Sequence, residues 1–129
     1  MGTYIFYNIA IVGGRRVNSY TFVKDYFLEI MKQQGFNIND IIIVSGGAKG
    51  VDTFAKKIAD EFNLTLIEIR PEWDKYGKSA GYKRNRTIVE LADILIAIPD
   101  LQSVGTYHSI TLAKQKGIPV FVKQFNQIV

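Results

Sequence analysis

Four segments of this chain combine glycines, cations and hydroxyls in the way that anion-binding loops do. The clearest is Ser45-Gly46-Gly47-Ala48-Lys49-Gly50-Val51-Asp52, which stands directly between an apolar run and an amphipathic one. Glycines there free backbone N–H groups to point outward at a helix start, where the macrodipole favours negative charge and Lys49 adds a cation. The glycine spacing is neither the dinucleotide fingerprint nor the Walker loop, because no Lys-Ser or Lys-Thr pair follows Gly50. Asp52 repels a phosphate unless it caps the helix or takes a ribose hydroxyl, and capping is the more frequent role for such an aspartate.

The other three segments carry the same theme. Gly13-Gly14-Arg15-Arg16 offers close backbone approach and two forked donors suited to phosphate or carboxylate, although Gly-Gly also simply turns a chain. Trp73 to Gly81, followed by Lys83-Arg84-Asn85-Arg86, interleaves aromatics with cations. Trp73 or Tyr76 suits a stacked base, Lys78 and Arg84 a phosphate, and Trp73 equally serves as a lid on a sheet edge. Arg84, Asn85 and Arg86 read as a helix start, where positive charge is unfavourable without an anionic partner. Ser103-Val104-Gly105-Thr106 again opens a helix and offers an N–H and a hydroxyl to a second phosphate or a ribose. His108 is the only histidine and has no cysteine or carboxylate cluster beside it, so neither a metal nor a cofactor is expected.

These segments need a scaffold that brings them to one edge, and the pattern between them supplies it. Asn8 to Gly14, Ile41 to Val44, Leu64 to Ile69, Asp93 to Ile98 and Ile118 to Val122 read as strands. The unbroken Ile41-Ile42-Ile43-Val44 run is the mark of a strand covered on both faces, hence of a parallel sheet. Phe22, Val23, Tyr26, Phe27, Ile30 and Met31 form a helical stripe after a cap at Asn18 or Ser19, closed by Gly35. Val51, Phe54, Ala55, Ile58, Ala59 and Phe62 form another, and further helices are expected from about Tyr82 to Leu91 and from Val104 to Lys116. Between Pro71 and Ala80 no period is visible, so that stretch reads as a loop. The expectation is an α/β doubly wound, mainly parallel five-stranded sheet flanked by helices, with every strand-to-helix loop at one edge and the ligand at the topological switch point.

Composition narrows the field. The 129 residues, 47% of them apolar, suit one domain spanning 1–129. The absence of cysteine removes disulfides, thiolate nucleophiles and thiolate zinc sites, and makes the cytoplasm the expected compartment. Met1 to Tyr7 carries no basic leader or cleavage pattern and reads as the lead into the first strand. No apolar run approaches the ~20 residues of a membrane span, so no membrane partner is expected. The net charge of +4 favours anionic partners and equally serves solubility.

Taken in order, these motifs resemble the SLOG superfamily, and within it the YspA-type branch. The resemblance runs from about Ile11 to Val122 and is carried by Gly13 to Arg15, Ser45 to Thr53 with Ala55, Trp73 through Gly81, Arg84-Asn85, Ala92-Asp93, and Ser103 with Gly105-Thr106. It implies a Rossmann-like fold, a role in sensing or processing nucleotide-derived ligands, and a homo-oligomer, because the superfamily commonly builds sites across dimers. Tyr20 and Tyr26 are the weak candidates for such a contact.

Two related families frame the alternatives. Lonely Guy phosphoribohydrolases share the glycine-rich second loop, an arginine resembling Arg84, and a Gly-Gly-x-Gly-Thr-x-x-Glu motif. Here Gln102 and Ser103 replace the glycine pair, Gly105-Thr106 is kept, and Ser109 occupies the position of the catalytic glutamate. Glycosidic hydrolysis wants a carboxylate, which argues against that activity unless Asp52 or Glu72 substitutes beside Arg84. The DNA-processing proteins that load recombinase share motifs resembling Ser45 to Asp52 and Arg84 to Arg86. Three readings follow in order: a sensor or sequestering module for a phosphate-bearing, nucleotide-derived small molecule such as an ADP-ribose-like ligand; a nucleoside-monophosphate N-glycosidase; and a single-stranded nucleic-acid binder, with Arg15, Arg16, Lys49, Trp73, Tyr76, Lys78, Arg84 and Arg86 along the strand.

Overall fold

The computed structural model describes residues 5–126; of the lead-in read at Met1 to Tyr7, residues 1–4 lie outside the described residues. Strands β1 (Tyr7–Gly13), β2 (Ile41–Ser45), β3 (Thr65–Glu68), β4 (Ile94–Ile98) and β5 (Val120–Val122) form one sheet in the order β3-β2-β1-β4-β5. Every pairing is parallel, so the mainly parallel sheet expected is wholly so.

The helices are α1 (Tyr20–Gln34), α2 (Val51–Glu61), α3 (Trp73–Tyr76), α4 (Ala80–Leu91) and α5 (Val104–Lys116). Side chains alternate across the strands. Ile9 and Ile11 of β1 pack with Phe27 of α1 and Ile58 of α2 on one face, while Ala10 and Val12 pack with Ile88 of α4 and Ile110 of α5 on the other. This two-sided burial is why β2 and β4 read as unbroken apolar runs. Phe27 is fully buried, and its truncation to alanine costs about 3–5 kcal/mol.

Caps fix the ends. The Ser19 hydroxyl accepts from Phe22 N at 3.2 Å and starts α1, and Gly35, at φ +71°, ends it. At the end of α4 the Lys116 ammonium donates to the carbonyls of Val89, Glu90 and Ala92 at 2.9, 2.8 and 3.1 Å, a cap supplied from α5.

Three expectations are corrected. The stretch from Pro71 to Ala80 is not all loop: α3 and a 3-10 turn at Gly77–Ser79 occupy it, and four residues are too few to show a period. Because α4 begins at Ala80, Arg84 to Arg86 sit in its second turn, and the charge at the helix start is not theirs. Tyr20 and Tyr26, read as exposed, are half-buried. Tyr20 donates to Glu61 at 3.3 Å, lies 5.8 Å from the Phe54 ring and has its hydroxyl pushed up to about 12 by burial and then by Glu61. Tyr26 packs on the core with Lys123 over its ring. Among the described residues the most exposed large apolar side chains are Leu101 and Val104, beside the end of β4.

Candidate functional site

A cleft of about 420 Å³ opens at the carboxyl ends of β1 and β4, where the order of strands reverses. Its walls come from the end of β1 and the loop after it (Gly13 to Arg16), the loop after β2 (Gly46, Ala48) with Asp52 in the first turn of α2, one face of α4 (Arg84, Asn85, Ile88), and the turn into α5 with its first residues (Asp100 and Gln102 to Thr106).

The first loop is built on close contact. A Cβ on Gly13 would lie 2.4 Å from the Ile98 carbonyl oxygen, and one on Gly14 would lie 2.0 Å from Asp100 Oδ2. Gly50, at φ +74°, brings its Cα against the Gly14 carbonyl, where a Cβ would stand at 2.2 Å. These glycines let three segments of the fold meet, a reason separate from approach to a ligand.

Asp100 organises this meeting point, and nothing in its sequence context marks it. Its carboxylate accepts from Arg16 N at 3.0 Å, Gln102 N at 2.8 Å and Ser103 Oγ at 2.9 Å, while the Ser103 hydroxyl accepts from Asp100 N at 2.8 Å. Burial raises its pKa, but the hydrogen bonds from Gln102, Arg16 and Ser103 outweigh it and leave the group below the usual carboxylate value. Ser103 is thus held by Asp100, although it lines the cleft.

Asp52 bends back so that its Oδ2 accepts from Ala48 N at 3.0 Å. Burial pushes its pKa up, opposed by the Ala48 hydrogen bond, Arg84 and the neighbouring Ser45 and Gly46. The Ser45 hydroxyl is fully buried and makes no well-formed hydrogen bond, yet it lies close enough to favour the Asp52 carboxylate in its ionised form.

Arg84 is oriented by two hydrogen bonds. Its Nη1 donates to the Gly46 carbonyl and its Nε to Asn85 Oδ1, each at 2.9 Å. Asn85 Nδ2 in turn points to the Gly105 carbonyl and to His108 Nδ1, both at 3.3 Å. Burial lowers the Arg84 pKa, Asp52 raises it, and the facing charge of Arg15 lowers it again. Two guanidiniums therefore repel across the cleft. No side chain among the described residues caps α5; Val104 N donates to the Gln102 carbonyl at 3.1 Å, and the amides of Gly105 and Thr106 on the cleft wall present the positive end of the helix.

Of the residues singled out by sequence, the cleft gathers Gly13, Gly14, Arg15, Gly46, Asp52, Arg84, Asn85, Ser103, Gly105 and Thr106, with Arg16 and Ser109. Ser45 at the end of β2, Gly47 and Gly50 in the loop after it, and the exposed Lys49 lie outside the lining. Trp73 and Lys78 also lie outside it, both exposed, whereas Glu72 and Tyr76 line a second, smaller cavity. Among the described residues no group of three or more histidine, aspartate or glutamate side chains is placed to hold a metal, and no helix is long and apolar enough to cross a membrane.

A parallel five-stranded sheet with helices on both faces and a cleft at its switch point defines a Rossmann-like domain. Solved structures agree. DNA processing protein A (DprA) from Streptococcus pneumoniae superposes with a TM-score of 0.69 at 25% identity, over 91% of this chain and 50% of that one. The chain thus spans half the length of that protein. TM1055 matches with a TM-score of 0.62 at 20% identity, over 89% of this chain and 72% of that one. DprA from Helicobacter pylori, whose structure concerns its mode of binding single-stranded DNA, matches with a TM-score of 0.61 at 24% identity, over 95% of this chain and 66% of that one. The model of the YspA, cpYpsA-related SLOG family matches residues 7–76, and Gene 61 protein of Mycobacterium phage D29 is 34% identical over 118 residues, 87% of this chain and 92% of that protein. The chain belongs to the YspA, cpYpsA-related SLOG family.

Proposed function

We propose that the cleft binds a phosphate-bearing, nucleotide-derived small molecule and that the protein acts as a sensor or sequestering module for it. The observation that carries this reading is the convergence of Arg15 and Arg84 on one wall-to-wall space together with the uncapped start of α5. An anion between the two guanidiniums relieves their repulsion and meets the amides of the helix start. The two carboxylates in the lining do not oppose it strongly, because Asp52 and Asp100 are already engaged by backbone amides. A volume of about 420 Å³ falls within the range of small-molecule sites.

Thermal shift with AMP, ADP-ribose, cyclic nucleotides and short single-stranded DNA, on wild type and Arg15→Ala, tests the reading. Arg15 is exposed, so its loss spares the fold. A ligand at a hundred times its Kd adds about 2.7 kcal/mol to the wild type. Stabilisation by a nucleotide that is weakened in Arg15→Ala, with the nucleotide intact by mass spectrometry, supports a binding module. Consumption of the nucleotide makes the protein an enzyme, with Asp52 the lining group placed to exchange a proton.

Single-stranded DNA is the second reading, favoured by the likeness to DNA processing protein A, at 25% identity over 91% of the chain for the S. pneumoniae protein, with single-stranded DNA binding the subject of the H. pylori structure. It predicts affinity that grows with strand length and falls steeply with salt. A nucleotide response flat in both variables excludes it.

A further inference from the structure

Beside the main cleft lies a second cavity of about 170 Å³, lined among others by Ile69, Arg70, Glu72, Tyr76, Lys83 and Arg84. Arg84 is the residue common to the two linings, so the cavities are neighbours across its side chain. The smaller one falls below the ~300 Å³ at which independent small-molecule sites begin, and so suits one part of a ligand whose remainder lies elsewhere.

Its chemistry is specific. Pro71 ends the segment after β3, and the single turn of α3 sets Tyr76 against the side of α4, held by Ser79 Oγ donating to the Tyr76 carbonyl at 2.9 Å. The Tyr76 ring is 38% exposed and carries Lys83 Nζ at 4.6 Å from its centre and Lys75 Nζ at 5.1 Å. Arg70 is neutralised by Glu68, its Nε and Nη2 each 2.8 Å from Oε2. Lys83 and Arg84 form no ion pair among the described residues. The cavity thus offers an aromatic face, the ammonium of Lys83, the guanidinium of Arg84, which feels Asp52 without forming an ion pair with it, and in Glu72 a carboxylate suited to sugar hydroxyls rather than to phosphate.

We propose that this cavity is a second nucleoside subsite of the same ligand, and that the protein takes a dinucleotide. One nucleotide occupies the main cleft, a linking phosphate lies against Arg84, and the second base stacks on Tyr76 in place of the Lys83 ammonium, which moves to the phosphate. The inference rests on the reading of the main cleft as a nucleotide site. The shared chemistry is two nucleosides joined through phosphate, whether by a 5′-5′ pyrophosphate or by a 3′-5′ phosphodiester.

Calorimetric titration of AMP, diadenosine 5′,5′-pyrophosphate, the phosphodiester pApA and an adenylate octamer tests it, on wild type, Tyr76→Ala and Lys83→Ala. Both altered residues are exposed, so the folded protein is retained. At least one dinucleotide is expected to bind about tenfold more tightly than AMP, the effect of one base–aromatic stack. Tyr76→Ala removes that gain while leaving AMP binding unchanged, and the linkage that gains identifies the source. Equal binding of AMP and both dinucleotides, or a gain that survives both substitutions, overturns the subsite and leaves the main cleft as a mononucleotide site. A further rise from dinucleotide to octamer overturns it in favour of strand binding. No binding of any nucleotide to the wild type overturns the reading of the main cleft, and the subsite with it.

Discussion

Arg84 Nη1 donates to the backbone carbonyl of Gly46 at 2.9 Å, joining α4 to the loop after β2 across 38 residues of sequence. The contact leaves no room for a side chain at position 46, where a Cβ would come within 2.5 Å of that same nitrogen. The guanidinium is fixed before any ligand arrives, and Asn85, taking its Nε, fixes the plane. Preorganisation of this kind lowers the ordering cost of binding.

Arg84→Lys is therefore not a conservative change. A single ammonium does not reproduce the planar fork that serves Gly46 and Asn85 at once. Loss of these charge-assisted hydrogen bonds is expected to cost about 1.5–3 kcal/mol in urea unfolding. Nucleotide-induced stabilisation is expected to fall with it; a lysine variant that keeps both full stability and full response to nucleotide is incompatible with the orienting role.

The glycines separate into two classes by what surrounds them. Gly35 has φ +71° with open space around it, and Gly50 has φ +74° with the Gly14 carbonyl 2.2 Å from its would-be Cβ. Gly35→Ala is expected to cost about 1 kcal/mol, the left-handed strain alone. Gly50→Ala adds overpacking against backbone that has no side chain to move, for a total of at least ~3 kcal/mol. Parallel denaturant melts give the order directly, and equal costs contradict the packed junction.

His108 supplies a pH probe because it is the only histidine in the chain. Asn85 Oδ1 is occupied by Arg84, so Nδ2 is the atom facing His108 Nδ1, and the imidazole must accept there and keep its proton on Nε2. Burial, then the charge of Arg86, lowers its pKa below 6.5. Since the folded pKa is the depressed one, the unfolded chain binds more protons in the window below 6.5. The stabilisation is complete above pH 6.5 and is lost as pH falls through the folded value. An NMR titration of the single imidazole is expected to show its midpoint below 6.5, and a midpoint at or above it excludes the neutral, hydrogen-bonded ring.

The scaffold was open to sequence reading because its signals are local. The runs at Ile41 and Ile94 need only their own residues to declare two-sided burial, and the stripes of α1 and α2 lie within a few turns. The loops that bear the cleft were legible as glycine-rich strand ends. Side-chain direction was not. Trp73, Lys78 and Lys49 share the composition of the site but are exposed and lie outside the cleft lining, a matter settled by how α3, the 3-10 turn after it and the loop after β2 lie on the body. Asp100 escaped notice for the opposite reason. An aspartate after a proline looks like an ordinary turn residue, and its partners Gly14 and Arg16 stand more than 80 residues earlier.

That aspartate gives the most direct test of how the cleft is assembled. Asp100 accepts two backbone amides and one hydroxyl while 7% exposed, so its negative charge is what ties the loop after β1 to the turn before α5. Asp100→Asn keeps the shape but brings an amide nitrogen against one of these donors, and is expected to cost about 1.5–3 kcal/mol at neutral pH. The pKa of Asp100 is depressed below 3.8, so its contribution is complete above that value and fades as pH falls through the folded pKa, when the unfolded chain has already taken up its proton. Wild type and variant should therefore differ most at neutral pH and converge under acid. Urea melts of both proteins at a series of pH values measure the gap. A constant gap down to the acid limit means that the carboxylate acts by shape alone, and that its charge does not hold the first loop in place.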